Sequence, residues 1–189
     1  MDNSNFVSES KAIIRAHQQK TPVSTIDIAN ALGLKVWKVG RWPNNVSGMI
    51  RKDEENGGVS GYAIYVNSNH HVNRRRFTIA HEIAHFVLHR ELIGDGIVED
   101  VLLRSERIED KHRLDNRIEA QANQLAADIL MPWHLLDPIL NGGTTNIKEI
   151  ASTFEVSASA MSIRLGVPFE GETSRSEEHT SELQSRITI

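Results

Sequence analysis

The residues best able to do chemistry stand in one run, His81-Glu82-Ile83-Ala84-His85. On a helix of 3.6 residues per turn, positions i and i+4 lie above one another on one face. Both imidazoles can therefore reach a single cation, and Glu82, about 100° round the helix, projects beside it. Two nitrogen ligands and a neighbouring carboxylate suit metal-assisted hydrolysis, in which the cation acidifies water and Glu82 relays its proton. The chain has no cysteine. That excludes disulfides, thiolate-bound zinc, iron–sulfur clusters and thiol catalysis, so any metal must be held by His and carboxylate.

A catalytic zinc takes three protein ligands and keeps a position open. The metzincin extension of the motif requires Gly at 88 and a third ligand at 91, where this chain has Leu88 and Glu91. His89 continues the i, i+4 row, but the rise along the helix carries it about 6 Å beyond a cation between His81 and His85. It is therefore expected to be a helix-terminal or core histidine. A carboxylate from a second helix is the alternative. In the stretch from Glu119 to Leu130, the residues Glu119, Ala122, Asn123, Ala126, Ala127 and Leu130 form one stripe of mostly small side chains. Small residues let two helix backbones approach closely, which a Glu needs to reach a neighbouring helix's metal. Asn123, one turn on, is placed to hydrogen-bond a ligand. On spacing alone Glu119 competes with Glu109, Asp110, Asp115 and Asp128.

The positioning elements follow from periodicity. Phe77, Ala80, Ala84, Val87 and Leu88 give the motif an amphipathic helix, with Asn73 as its expected N-cap and Gly94 after its last turn. Ahead of it, two helical patterns (Phe6 to Gln19, and Ile26 to Leu32) precede three short strand patterns: Leu34 to Val39, Val46 to Arg51 and Gly61 to Asn67. The mixed-charge stretch from Asp95 to Asn116 has no period and is expected to be a surface loop with one helical turn. A helix from Arg117 to Met131 then stops at Pro132, and short helices follow over Ile147 to Phe154 and Ala158 to Leu165.

Composition sets the class. With 39% hydrophobic and 24% charged residues in 189, the chain has enough apolar surface for a core. A net charge of -4 disfavours a wholly electrostatic nucleic-acid binder. No apolar stretch is long enough to span a bilayer and no secretory signal is evident, so a cytoplasmic location is expected. The tail RSEEHTSELQS (Arg175 to Ser185) looks like the in-frame translation of a short-read sequencing adapter and is set aside from the fold.

The block RRRFTIAHEIAHFVLH (Arg74 to His89), with EAQANQLAADILMP (Glu119 to Pro132), resembles the ImmA/IrrE metallo-endopeptidases, and the likeness runs from about Phe6 to Phe169. The family pattern has a Glu four residues before an Asn as third ligand, which falls here on Glu119 with Asn123. The resemblance implies an α+β, zincin-like fold, mainly helical, with a small antiparallel sheet beside the motif helix and a helical C-terminal subdomain. The expected division is a metallopeptidase domain over 1–143, a helix-turn-helix-like subdomain over 144–170 and a disordered tail over 171–189. It also implies a zinc-dependent (or manganese-dependent) endopeptidase with Glu82 as catalytic base and a helix-turn-helix repressor as protein substrate. Substrate is expected to pair with a sheet edge at Ile64, Tyr65, Val66 and Asn67.

Two rivals remain. One is a DNA-binding regulator using Val23 to Leu34 or Ile147 to Leu165, neither of which carries a basic recognition face. The other is a metal-sensing regulator that binds its partner without cutting it. The triplet Arg74-Arg75-Arg76 is expected to be a solvated face.

Overall fold

The computed structural model describes residues 3–93 and 109–168, with side chains from 116 onward in the second stretch. The elements run α1 (Asn3–His17), α2 (Thr25–Ala31), β1 (Lys35–Val39), β2 (Gly48–Lys52), β3 (Tyr62–Asn67), α3 (Val72–His89), α4 (Glu109–Leu130), α5 (Trp133–Asn141), α6 (Ile147–Phe154) and α7 (Ala158–Leu165). The architecture is mainly helical with one small sheet, so the α+β class holds.

The sheet is mixed rather than antiparallel. Its order is β1-β3-β2, with β1 parallel and β2 antiparallel to β3. The chain crosses from β1 to the far side of β3 before β2 begins, which lays β3 down between them. The expected pairing site is thereby corrected. Ile64, Tyr65, Val66 and Asn67 belong to the central strand, bonded on one flank to β1 and on the other to β2 and the residue before it. No backbone edge remains there for another strand. Asn67 is fully buried and its amide donates to the carbonyls of Pro43 (3.0 Å) and Val46 (2.8 Å), pinning the loop ahead of β2.

Helix α3 is buried almost all round, as suits a helix at the centre of a molecule. Its cap is His71, whose side chain accepts from the Asn73 backbone N–H, and not Asn73 itself. Asn73 instead donates its side-chain amide to Val156 O at 3.1 Å, tying α3 to the turn between α6 and α7. On the sheet side α3 packs directly under β2. A Cβ on Gly48 would run into the Thr78 side chain and the Tyr65 carbonyl, so glycine is what permits that approach. On another side Phe86 meets Phe6 of α1 and Tyr62 of β3 edge-on, and Arg90 lies over all three rings.

Helix α4 begins at Glu109, eight residues before the expected Arg117. The segment from Glu109 to Asn116 contains no Gly or Pro and is rich in helix-forming residues, so absence of an apolar period does not mean absence of a helix. The small-residue stripe does what its spacing implied: Ala122, Ala126 and Leu130 are fully buried where α4 lies along α3. The C-terminal helices contribute Ile150, Ala151, Phe154, Val156 and Met161 to the same apolar cluster as α3 and β3. No helix among the described residues is long and apolar enough to cross a membrane.

Candidate metal centre

The seam between α3 and α4 brings His81, His85 and Glu119 together. The two Nε2 atoms lie 2.9 Å apart, and the two Glu119 oxygens stand 3.3 Å from them, Oε2 by His81 and Oε1 by His85. Ligand atoms 2.0–2.1 Å from one tetrahedral zinc would stand about 3.3 to 3.4 Å apart. Among the described residues this is the one cluster of three such groups. Of the competing carboxylates, Asp128 is paired with Arg164 at 2.7 Å, while the side chains of Glu109, Asp110 and Asp115 lie outside the described residues.

The outer face of each ring determines where its proton sits. His81 Nδ1 lies 3.0 Å from Asn123 Oδ1, an acceptor, so Nδ1 carries the hydrogen and Nε2 presents a lone pair. His85 Nδ1 lies 3.3 Å from His89 Nδ1, and His89 Nε2 lies 3.1 Å from Gln121 Oε1. The terminal acceptor orders that row. Both inner nitrogens and the carboxylate then point lone pairs at one place, an arrangement that only a cation or a proton relieves. The donor set, two imidazoles and a carboxylate, fits a zinc or manganese ion.

Titration tells the same story. Burial opposes a charge on His81, but the Glu119 hydrogen bond and the nearby Glu82 and Glu119 charges outweigh it and raise its pKa. His85 moves the other way, chiefly through burial, with the positive charge on His81 adding to it. Burial would raise the Glu119 pKa, yet the two imidazoles hold it well below the ordinary carboxylate range. The pocket thus favours one positive charge shared at a carboxylate. Glu82 is only 6% exposed and sits one residue along α3, near enough for its charge to act on His81.

The family profile described as IrrE N-terminal-like domain matches residues 44–166, which takes in β2, β3, α3, α4 and the closing helices. The chain belongs to that family. Within the ImmA/IrrE family, the radiation response metalloproteases IrrE of Deinococcus deserti and Deinococcus radiodurans are 36% identical over 102 residues and 38% identical over 100. Those alignments cover 52% and 51% of this chain but 34% and 28% of the relatives, so the chain spans about a third of the curated proteins it matches. A solved transcriptional regulator from Mycobacterium tuberculosis shares the fold, with a TM-score of 0.57 at 13% identity, over 87% of this chain and 47% of that one.

In this IrrE-type domain the residues flanking the motif are engaged structurally. The arginine triplet is a solvated face only at Arg74, which is exposed, while Arg75 and Arg76 are half-buried. Arg74 donates to Ser47 Oγ, Arg75 to the carbonyls of Ser68 and His70, and Arg76 to those of Val23, Phe154 and Glu155. Arg164 of α7 donates to Met131 O, pairs with Asp128 and lies over Trp133. Of the two cations that Ile147 to Leu165 would offer a DNA duplex, Lys148 and Arg164, the second is thus turned inward. The contacts of His89 and Gln121 go beyond what spacing shows. Their signal was half visible, since His89 extends the i, i+4 row, but nothing in the sequence points Gln121 at it.

Proposed function

We propose that this chain is a zincin-type endopeptidase in which His81, His85 and Glu119 hold one cation and Glu82 is the general base. The observation that carries the reading is the convergence of three ligand atoms beside a buried carboxylate. Membership of a family with metalloprotease relatives supports the same class. When bound, zinc (or manganese) supplies Lewis acidity, lowering the pKa of water to about 7 and polarising the peptide carbonyl. Glu82 accepts the proton of the attacking water at its carboxylate and returns it to the departing amine. Its burial beside His81 keeps that carboxylate next to the ligand atoms and away from bulk water. Asn123 keeps the His81 ring from rotating by accepting its Nδ1–H.

The substrate lies extended along β2. Among the described residues β2 pairs with β3 alone, which leaves its outer edge for strand addition. Thr78 and Glu82 are one turn apart on the same side of α3, and Gly48 closes on Thr78, so that edge adjoins the face carrying the base. By the family resemblance the protein substrate is a helix-turn-helix repressor.

The test is cleavage of purified helix-turn-helix repressors by the metal-loaded protein, followed by mass spectrometry. Glu82→Gln is expected to keep its metal and lose about 10²- to 10⁴-fold in rate, the usual worth of a positioned base. Wild-type turnover by that variant would remove Glu82 from the role. Repressors left whole while other proteins are cut would redirect the substrate assignment.

A further inference from the structure

We infer that His89 and Gln121 form a relay that fixes the orientation and tautomer of the ligand His85, making His89 a positioning residue of the metal centre. The inference rests on the proposed metal site. His81 and His85 are held by different means. The His81 ring has a carboxamide oxygen directly behind it, Asn123 Oδ1 at 3.0 Å. Behind His85 stands another imidazole, with Nδ1 to Nδ1 at 3.3 Å, and behind that the Gln121 carboxamide at 3.1 Å.

The chemistry of this row has one direction. His85 Nε2 is the atom turned on Glu119 and His81, and a cation held there takes its lone pair, so in the loaded site the His85 hydrogen belongs on Nδ1. The neutral His89 ring must then accept at Nδ1 and carry its own hydrogen on Nε2, which donates to Gln121 Oε1. Every atom in the row is used once, and reversing any member would set two hydrogens or two lone pairs face to face. Gln121 stands two residues after Glu119 on α4. The same helix thus grips His85 at both ring nitrogens, through Glu119 Oε1 on one side and through His89 on the other. Partners behind a metal-bound imidazole raise its basicity and hold its ring in place, and their loss costs about 10- to 100-fold in metal affinity.

A glutamine at 89 can both accept and donate through its amide, whereas a leucine of similar bulk can do neither. Zinc dissociation constants are measured by chelator competition on the full chain for wild type, His89→Leu, His89→Gln, Gln121→Leu and the His89→Leu/Gln121→Leu double variant. His89→Leu should weaken zinc by about 10- to 100-fold and His89→Gln should recover most of that. Gln121→Leu should cost less, and its effect should disappear in the His89→Leu background. In the zinc-loaded protein, ¹⁵N NMR should place the His89 hydrogen on Nε2. Wild-type affinity in His89→Leu, or a His89 hydrogen on Nδ1, overturns the relay. A wild-type chain that takes up no stoichiometric zinc overturns the metal site itself, and the relay with it.

Discussion

Two carboxylates in this molecule, the buried Asp53 and the half-buried Glu119, are both held far below the ordinary acid range, and they are held there by different surroundings. Asp53, after β2, accepts from the Tyr65 hydroxyl, from the Asn56 and Glu55 backbone N–H groups at 2.9 and 3.2 Å, and from the Arg51 guanidinium at 3.1 and 2.6 Å. The Tyr65 hydroxyl contributes most to its lowered pKa, then the Asn56 N–H and Arg51. Glu119 faces the Nε2 atoms of two imidazoles, each of which has a separate partner behind it at Nδ1. Asp53 is closed, every oxygen meeting a permanent donor. Glu119 is open, one of three ligand atoms turned on a common point. A depressed carboxylate therefore does not mark a site; the inventory of hydrogens around it does.

The largest expected effect breaks the open end. Glu119→Gln keeps the size of the side chain and removes a charged ligand. Its zinc affinity should fall by more than about 100-fold, beyond the loss of an outer partner. Metal analysis after dialysis checks this, and the metal-free thermal midpoint should stay near that of wild type. Equal metal in both proteins would place the third ligand elsewhere. The Asp53→Asn variant should do the reverse, holding zinc at full stoichiometry while unfolding at lower temperature.

Arg76 sharpens the contrast from inside the motif helix. It lies five residues before His81, yet its guanidinium is used up on three backbone carbonyls and on Glu155 at 3.5 Å. Its side chain is 13% exposed. Arg76→Met should cost about 2 to 4 kcal/mol in denaturant unfolding, since those carbonyls lose a charged donor. Zinc stoichiometry should not change. A variant that loses metal without losing stability would make Arg76 part of the open end after all.

What could be read from the chain separates along the same line. The motif histidines and the small-residue stripe were legible because helical spacing is local: i, i+4 and i+7 place residues on a face wherever the helix goes, whereas Glu119 stood among five carboxylates until the family resemblance singled it out. The strand order was not, because Ile64 to Asn67 carry nothing that tells a central strand from an edge. That depends on where β1 and β2 settle. The early start of α4 was missed because a charged helix need not be amphipathic. The arginine triplet and the His89 to Gln121 contact were missed for a common reason. Their partners lie 27 to 79 residues away or are backbone carbonyls, which leave no mark in composition.

The smallest expected effect tests the closed end through pH. A carboxyl whose folded pKa lies below its unfolded value of about 3.9 contributes stability that is present above that value and lost as pH falls through the folded one. Asp53 is such a group, and Asn at that position cannot titrate. The difference in unfolding free energy between wild type and Asp53→Asn should be full and constant above about pH 5, shrink below about pH 4, and approach zero in strong acid. Denaturant titrations of the metal-free proteins at several pH values measure it, so zinc release does not enter. If the difference stays level down to about pH 2, Asp53 acts through the shape of its hydrogen bonds and not through its charge. The two carboxylates would then differ in kind, and the contrast between a closed and an open charge would have to be drawn from Glu119 alone.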